Sequence, residues 1–269
     1  MTILDGKAIS EQYIQHIAEE VSKNNMHPIL AIVTDGLDPA SAVYIRQKIK
    51  AAEKCGIAVL VEKINNPMEY IEVMRRLSAD PAINGIIVQQ PCKYAPMYKV
   101  KETIPAQKDV DGFSPDSYYE PCTPLGIMTI LSHYNINVVG KHCVVLGRSE
   151  IVGRPLSEML LKKNATVTVC HSKTPTELRN ELLSKADIIF ACTGVPGLIK
   201  PENVRDDAVI IDVGITRDEN GKLCGDAGHP TDWTDTNVMI TPVPGGVGPM
   251  TVASLMVNTW AATLNQNDD

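Results

Sequence analysis

Cys143-Val144-Val145-Leu146-Gly147-Arg148-Ser149-Glu150-Ile151-Val152-Gly153-Arg154-Pro155-Leu156-Ser157-Glu158-Met159-Leu160 decides the fold. Four apolar residues, two of them β-branched, run into a glycine turn and then into apolar positions at helical spacing. That order predicts a buried parallel strand feeding a helix, the opening of a dinucleotide-binding βαβ unit. A pyrophosphate needs a turn without side-chain bulk and free backbone N–H groups at a helix N-terminus, which Gly147, Ser149 and Gly153 supply. Ser149 stands where the usual fingerprint has its second Gly, and Gly153 comes one residue late. The same glycines serve packing alone in many such turns, so this stretch by itself leaves both readings open.

Residues 165–169 read as the second strand, ending at Cys170-His171-Ser172-Lys173-Thr174. A site that prefers NAD places Asp or Glu there for the ribose 2′-OH, roughly 20 residues after the first Gly. None is present. His171, Ser172 and Lys173 take that place, and Arg148 in the glycine turn offers a guanidinium to a 2′-phosphate, which favours NADP. The competing reading makes Arg148 and Lys173 solvated surface charges.

Outward from this unit, 269 residues with 44% hydrophobic content suffice for two modest domains. Only two Phe and two Trp occur, so the core is aliphatic, as in alternating β/α proteins. A formal net charge of −7 without a Lys/Arg run argues against nucleic acid or an anionic membrane as partner. Seven Cys without C-x-x-C spacing make neither a disulfide nor a zinc framework, and no metal is expected. Cys143, Cys170 and Cys192 lie in apolar runs and read as small core residues. With no apolar leader and no run of about 18 apolar residues, the reading is a soluble, cytoplasmic protein.

In chain order, the spacing predicts a helix over 9–23, a strand over 29–33, a helix over 40–55 with Tyr44 and Lys48 on one face, and a strand over 57–64. A helix over 67–79 and a strand over 85–88 ending in Gln89-Gln90-Pro91 complete a parallel sheet whose ligand site lies at the strands' carboxyl ends. Pro121-Cys122-Thr123-Pro124 reads as a linker, followed by a helix over 125–134. Strands over 186–193 and 208–213 close on glycines, which places Thr193, Gly194 and Ile215 along a cofactor. Residues 241–251 hold three Gly and three Pro and read as a stiff loop, with a final helix over 252–264 and a frayed end over 265–269.

Several of these motifs occur together in one family. Tyr44-Ile45-Arg46-Gln47-Lys48, Val88-Gln89 with Pro91, Asp109-Val110-Asp111-Gly112, Pro121-Cys122-Thr123-Pro124, Gly147-Arg148-Ser149 with Val152-Gly153-Arg154-Pro155, and Pro242 to Thr251 resemble the methylenetetrahydrofolate dehydrogenase/cyclohydrolase family. The resemblance covers nearly the whole chain. It implies an α/β protein of two domains: an N-terminal folate-binding catalytic domain with a parallel sheet (1–122 plus a returning helix, 250–269) and a Rossmann-type NADP-binding domain (123–249), with the active-site cleft between them. It implies a homodimer that oxidises 5,10-methylenetetrahydrofolate to 5,10-methenyltetrahydrofolate with NADP⁺, then hydrolyses the product to 10-formyltetrahydrofolate.

The implied catalytic residues are Lys48, Tyr44, Gln89 and Asp111. Lys48 would be the general acid/base, which requires an environment that tunes it for work near neutral pH. Tyr44 would face the aminobenzoate ring, and Asp111 would accept from the pterin amino and ring nitrogens. Tyr44, Lys48, Val88, Gln89, Pro91, Asp111, Pro244, Gly245 and Gly246 would contact the folate. Gly147, Arg148, Ser149, Val152, Gly153, His171, Ser172, Thr193, Gly194 and Ile215 would contact NADP. The chain departs from the family's Leu-Pro-Leu-Pro after Val88-Gln89, having Gln90-Pro91-Cys92-Lys93, which is expected to set polar groups and a cation beside the folate. The rival readings are another NADP-linked oxidoreductase on the same plan, such as a shikimate-dehydrogenase-like enzyme, and a non-catalytic NADP-binding regulator.

Overall fold

The computed structural model describes residues 1–267. In order these form β1 (Thr2–Ile3), α1 (Gly6–Lys23), β2 (Ile29–Thr34), α2 (Pro39–Cys55), β3 (Ala58–Lys63), α3 (Pro67–Ala79), β4 (Gly85–Val88), α4 (Met97–Thr103), α5 (Cys122–His133), β5 (His142–Leu146), α6 (Gly153–Lys162), β6 (Thr166–Cys170), α7 (Thr176–Lys185), β7 (Ile188–Ala191), β8 (Val209–Asp212), β9 (Thr216–Arg217), β10 (Leu223–Cys224), β11 (Met239–Ile240) and α8 (Val247–Asn267). The chain divides into two units: Met1–Ile9 with Thr123–Thr251, and Ser10–Cys122 with Val252–Asp269. We call them the first and second unit.

The first unit carries a parallel six-stranded sheet ordered β1-β11-β8-β7-β5-β6. Alternate residues of a strand point to opposite faces. Cys143, Val145, Phe190 and Ile211 therefore join one core, with Ile127, Leu156 and Leu160, while Val144, Leu146, Ile189 and Ile210 join another, with Leu183 and Trp233. Both faces are covered, as the unbroken apolar run at 143–146 requires. The first nine residues, expected with the N-terminal domain, belong here because Thr2 and Ile3 pair with Met239 and Ile240.

The second unit holds a parallel sheet ordered β3-β2-β4. Leu30, Ile32 and Ile87 pack on one side with Val252, Leu255 and Met256 of α8, and Ala31, Val33, Ile86 and Val88 pack on the other with Tyr70 and Leu77 of α3. Helix α2 is framed by local chemistry. Asp38 caps it by accepting from Ser41 N at 2.8 Å, Pro39 occupies its first turn, and Gly56 closes it.

Three expectations are corrected. Residues 121–124 are not a linker, because α5 already begins at Cys122 with Pro124 in its first turn. The Gly/Pro loop ends earlier than 251, because α8 begins at Val247 and takes Pro249 into its own first turn. Proline lacks only an N–H that a first turn leaves unbonded, so turn-forming residues serve there as helix starts. Third, residues 265–267 continue α8, where Gln266 donates from Nε2 to Asn84 O at 3.0 Å; Asp268 and Asp269 lie outside the described residues. Among the described residues no helix is long and apolar enough to cross a membrane.

Candidate active site and dinucleotide turns

In the second unit, α2 brings Ser41, Tyr44 and Lys48 to one side, three and then four residues apart. Lys48 is 9% exposed, and its Nζ donates to Gln89 Oε1 at 3.0 Å. Gln89 directly follows β4, and its own Nε2 donates to Gln90 O at 2.8 Å, which fixes the amide so that its oxygen faces the ammonium. Tyr44 is half-buried one helical turn before Lys48, and burial raises its phenol above the ordinary value. Val88 is buried in the core behind Gln89. Pro91 follows through a cis peptide bond.

Asp111 reaches this group along a different route. The passage before it pairs with β4 through an Ile86–Asp109 bridge. It is anchored by buried Lys108, whose Nζ donates to the carbonyls of Leu77 at 3.3 Å, Ser78 at 3.1 Å and Asp80 at 2.7 Å, at the end of α3. Asp111 is buried, and burial pushes its carboxyl upward while the Lys48 ammonium and a hydrogen bond with Cys122 hold it down. An ammonium, a carboxylate and an amide oxygen are thus gathered out of water, where each interaction is stronger than at a surface.

Two members of this group were not among the sequence candidates. Cys122 is buried with its Sγ 3.2 Å from Val110 O, and burial together with the Asp111 charge raises its thiol well above the ordinary value. Asp109 is buried and pushed up to about 6, first by burial; it accepts from Ser114 N at 2.7 Å and so shapes the turn that presents Asp111. Both lie in motifs read as turn or linker, and nothing in those stretches of sequence set them apart from ordinary turn residues.

The residues that depart from the family pattern have local partners. Gln90 turns into its own loop, donating to Ala95 O at 3.1 Å and accepting from Cys92 N at 3.3 Å. Cys92 is buried, and Lys93 lies over the Tyr94 ring, 5.5 Å from its centroid, with its backbone N–H bound to Asp35.

In the first unit, Gly147 follows β5 with φ of 108°, and a side chain there would overlap Cys192 O; one at Gly153 would overlap Gly147 O. The turn is folded tightly on itself. Val152 N and Gly153 N lie 3.2 and 3.5 Å from Ser149 Oγ, and α6 starts at Gly153. Leu146 pairs with Cys170, and Gly147 N donates to Cys170 O at 2.8 Å. The register therefore sets Arg148 and Ser172 two residues beyond paired strand ends, both exposed, as is Lys173. His171 closes its turn by accepting from Lys173 N at 3.2 Å on Nδ1. Thr193 and Gly194 follow β7, and half-exposed Ile215 follows β8. Pro244 is in a cis peptide, and Gly245 O accepts from Lys7 N at 2.8 Å, which ties the loop to the start of α1.

Comparison with known proteins adds to this geometry. A family model described as the tetrahydrofolate dehydrogenase/cyclohydrolase catalytic domain matches residues 4–111, and one described as the NAD(P)-binding domain of the same enzymes matches residues 121–267. A curated relative from Methanoculleus marisnigri named "Bifunctional protein FolD" is 45% identical over 273 residues, 97% of this chain and 95% of its own length. The solved bifunctional methylenetetrahydrofolate dehydrogenase/cyclohydrolase FolD of Campylobacter jejuni superposes with a TM-score of 0.91 at 37% identity, covering 98% of this chain and 99% of that one. The Trypanosoma brucei methylenetetrahydrofolate dehydrogenase-cyclohydrolase, solved with NADP cofactor and an inhibitor, gives 0.93 at 30% identity over 100% and 99%. A shikimate dehydrogenase from Aquifex aeolicus gives 0.53 at 16% identity over 90% and 98%, a likeness of fold alone.

Proposed function

The chain belongs to the tetrahydrofolate dehydrogenase/cyclohydrolase family, and we propose how its own residues divide the two reactions of that family between them. It is an NADP-dependent enzyme that oxidises 5,10-methylenetetrahydrofolate to 5,10-methenyltetrahydrofolate and hydrolyses the product to 10-formyltetrahydrofolate. The reading places the folate on the second unit with Lys48, Gln89 and Asp111, and NADP on the first.

The observation that carries the division is the buried Lys48 Nζ held 3.0 Å from Gln89 Oε1, with the Asp111 carboxylate as its counter-charge. Hydrolysis of the methenyl cation adds water to a carbon between two nitrogens, then opens one C–N bond. A group must take a proton from the water and return one to the leaving nitrogen. Lys48 performs both transfers in this reading, and Gln89 aims its amine. Asp111 accepts from the pterin amino and ring nitrogens, Tyr44 lies along the aminobenzoate ring, Val88 and Pro91 shape the wall, and Gln90 and Cys92 bond within the loop that follows.

The residues of the first unit fit a dinucleotide. The turn has no side chain at Gly147 or Gly153 and runs into the α6 N-terminus, so Gly147, Ser149, Val152 and Gly153 receive the pyrophosphate. Arg148 and Ser172, with His171 beside them, receive the 2′-phosphate, no acidic residue standing at the end of β6. Thr193, Gly194 and Ile215 line the remainder. When bound, NADP⁺ supplies the hydride acceptor.

We also infer a homodimer in a reducing, cytoplasmic compartment. All seven cysteines are free thiols, six of them buried. Strand β3 is an unpaired sheet edge whose Val61 is 42% exposed, and Met68 and Ile71 of α3 are exposed beside it in sequence. An apolar edge of this kind is a surface that proteins cover. Light scattering settles the mass, and a monomer at micromolar concentration rules the dimer out. For the activity, absorbance at 340 nm is followed with methylenetetrahydrofolate and either NADP⁺ or NAD⁺; no reduction of either cofactor overturns the assignment.

A further inference from the structure

Two buried carboxylates stand behind the strand-end turns of the first unit, and neither reaction makes use of them. Asp212 ends β8 and is 2% exposed; Asp226 lies two residues beyond β10 and is 0% exposed. A carboxylate is held away from water only where donors replace its solvent, so the donors reveal what each one fastens. Asp226 Oδ2 accepts from both the N–H and the Oγ1 of Thr193, each at 2.7 Å. Asp212 Oδ1 accepts from Gly214 N and Asp226 N, each at 3.0 Å, and its Oδ2 accepts from Ala227 N at 2.8 Å. A continuous path of bonds runs from the turn after β7 through Asp226 and Asp212 to the turn after β8. A side chain at Gly214 would overlap Asp226 Oδ1, and one at Gly225 would overlap the Asp212 carboxylate, so both backbones press directly on the pair.

The turn after β5 is held by Gly147 N on Cys170 O and by its own Ser149. The turns after β7 and β8 carry Thr193, Gly194 and Ile215, and in a sheet of this type ligands lie at these carboxyl ends. A backbone that binds a ligand must be fixed before the ligand arrives, or ordering it weakens binding. Among the described residues Asp226 Oδ1 is buried with no hydrogen-bond partner, so the carboxylate holds Thr193 through Oδ2 alone.

We propose that Asp226, backed by Asp212, is a positioning residue for NADP: it touches no ligand but holds the Thr193–Gly194 turn in its binding shape. The inference rests on the reading of the first unit as the NADP site. Removal of the carboxylate frees the Thr193 N–H and hydroxyl together and loosens the turn. An amide keeps one acceptor oxygen for Thr193 and turns its NH₂ toward the unpartnered position.

The test is isothermal titration of NADP⁺ into purified full-length parent, Asp226→Ala and Asp226→Asn, with folate affinity and melting temperature measured on the same samples. Asp226→Ala is expected to weaken NADP⁺ at least tenfold with folate affinity unchanged, and Asp226→Asn to stay within about threefold of the parent. A folded Asp226→Ala with NADP⁺ affinity within twofold of the parent overturns the proposal, as does equal weakening of folate and NADP⁺, which marks general damage. If Asp226→Ala fails to melt cooperatively, Asp226→Ser decides, since it removes the carboxylate and leaves Thr193 itself intact: a threefold or greater weakening of NADP⁺ supports the proposal, and unchanged affinity overturns it. A parent that does not bind NADP⁺ overturns the cofactor reading and this assignment with it; a parent that binds beside unaltered variants overturns the assignment alone.

Discussion

The two units use buried charge in opposite ways. In the second, buried Lys48 donates to Gln89 and its ammonium holds down the carboxyl of buried Asp111, and these are the groups proposed to meet the folate. In the first, the buried carboxylates Asp212 and Asp226 bind backbone N–H groups and the Thr193 hydroxyl, while Arg148 and Lys173, the charges proposed for the cofactor, stand exposed. The difference follows from the tasks. Proton transfer needs a charged group set beside one atom in a dry place, whereas a dinucleotide is recognised along its length by turns of fixed shape. Damage to the second unit should therefore fall on turnover and folate affinity, and damage to the first on cofactor affinity.

The largest effect is expected from Lys48→Met, which keeps the length and apolar stem but loses the amine. General acid/base groups contribute about 10²–10⁴-fold, so cyclohydrolase turnover should fall by at least about 10²-fold. Hydride transfer depends mainly on positioning and should survive at a reduced rate, with methenyltetrahydrofolate accumulating. NADPH formation at 340 nm and methenyl absorbance, followed separately, check this; hydrolysis within a few-fold of the parent would break the contrast at its strongest point.

Asp111→Ala tests the same unit through binding. A hydrogen bond to a charged group contributes about 1.5–3 kcal/mol, so the KM for folate should rise by tenfold or more in both reactions. Loss confined to one reaction would show that Asp111 belongs to a chemical step. Arg148→Ala moves to the exposed rim of the first unit. With solvent weakening the contact, a rise of about tenfold in KM for NADP⁺ is expected, with NAD⁺ changed little. Equal losses with both cofactors would remove Arg148 from the 2′-phosphate.

The smallest effect concerns pH. Burial first, then the neighbouring Asp226 charge, pushes Asp212 from 3.8 up to about 7. The folded state then keeps a proton that the unfolded chain has already released, so this group's contribution to stability is greatest below the unfolded value and declines as pH rises toward 7. Melting temperature between pH 4.5 and 7.5 should fall less steeply in Asp212→Asn than in the parent. Parallel curves would place the proton elsewhere.

What the sequence disclosed was whatever carries a period or a spacing. Strands β2, β4, β5, β7 and β8 are apolar runs, and Lys48 meets Gln89 because a capped helix and a strand end each have only one way to present those side chains. Strands β1 and β11 have two residues each, too few for any alternation to register, yet they complete the six-stranded sheet. Asp212 was visible only as a polar letter at the end of Ile210-Ile211, and Asp226 as one between Gly225 and Ala227. Nothing local links positions 193, 212 and 226, since their bonds are set by the order of β7 and β8 in the sheet. Gln90 was legible as a departure, but its inward turn depends on the path of 91–95.

That β1 pairs with β11 bears on how the molecule is made. Neither unit is a continuous piece of chain: one waits from residue 9 to residue 123 for its remainder, and the other waits from residue 122 to residue 252. During synthesis the ribosome releases the six-stranded sheet's edge strand first and its pairing partner more than two hundred residues later. At the usual pace of about 5–20 residues per second, the Thr2–Ile3 segment stays without its neighbour for ten seconds or longer. Helix α8 packs on β2 and β4 only after residues 252–256 have been made. Both units are completed late in translation, and a nascent chain stopped at residue 122 contains neither of them whole.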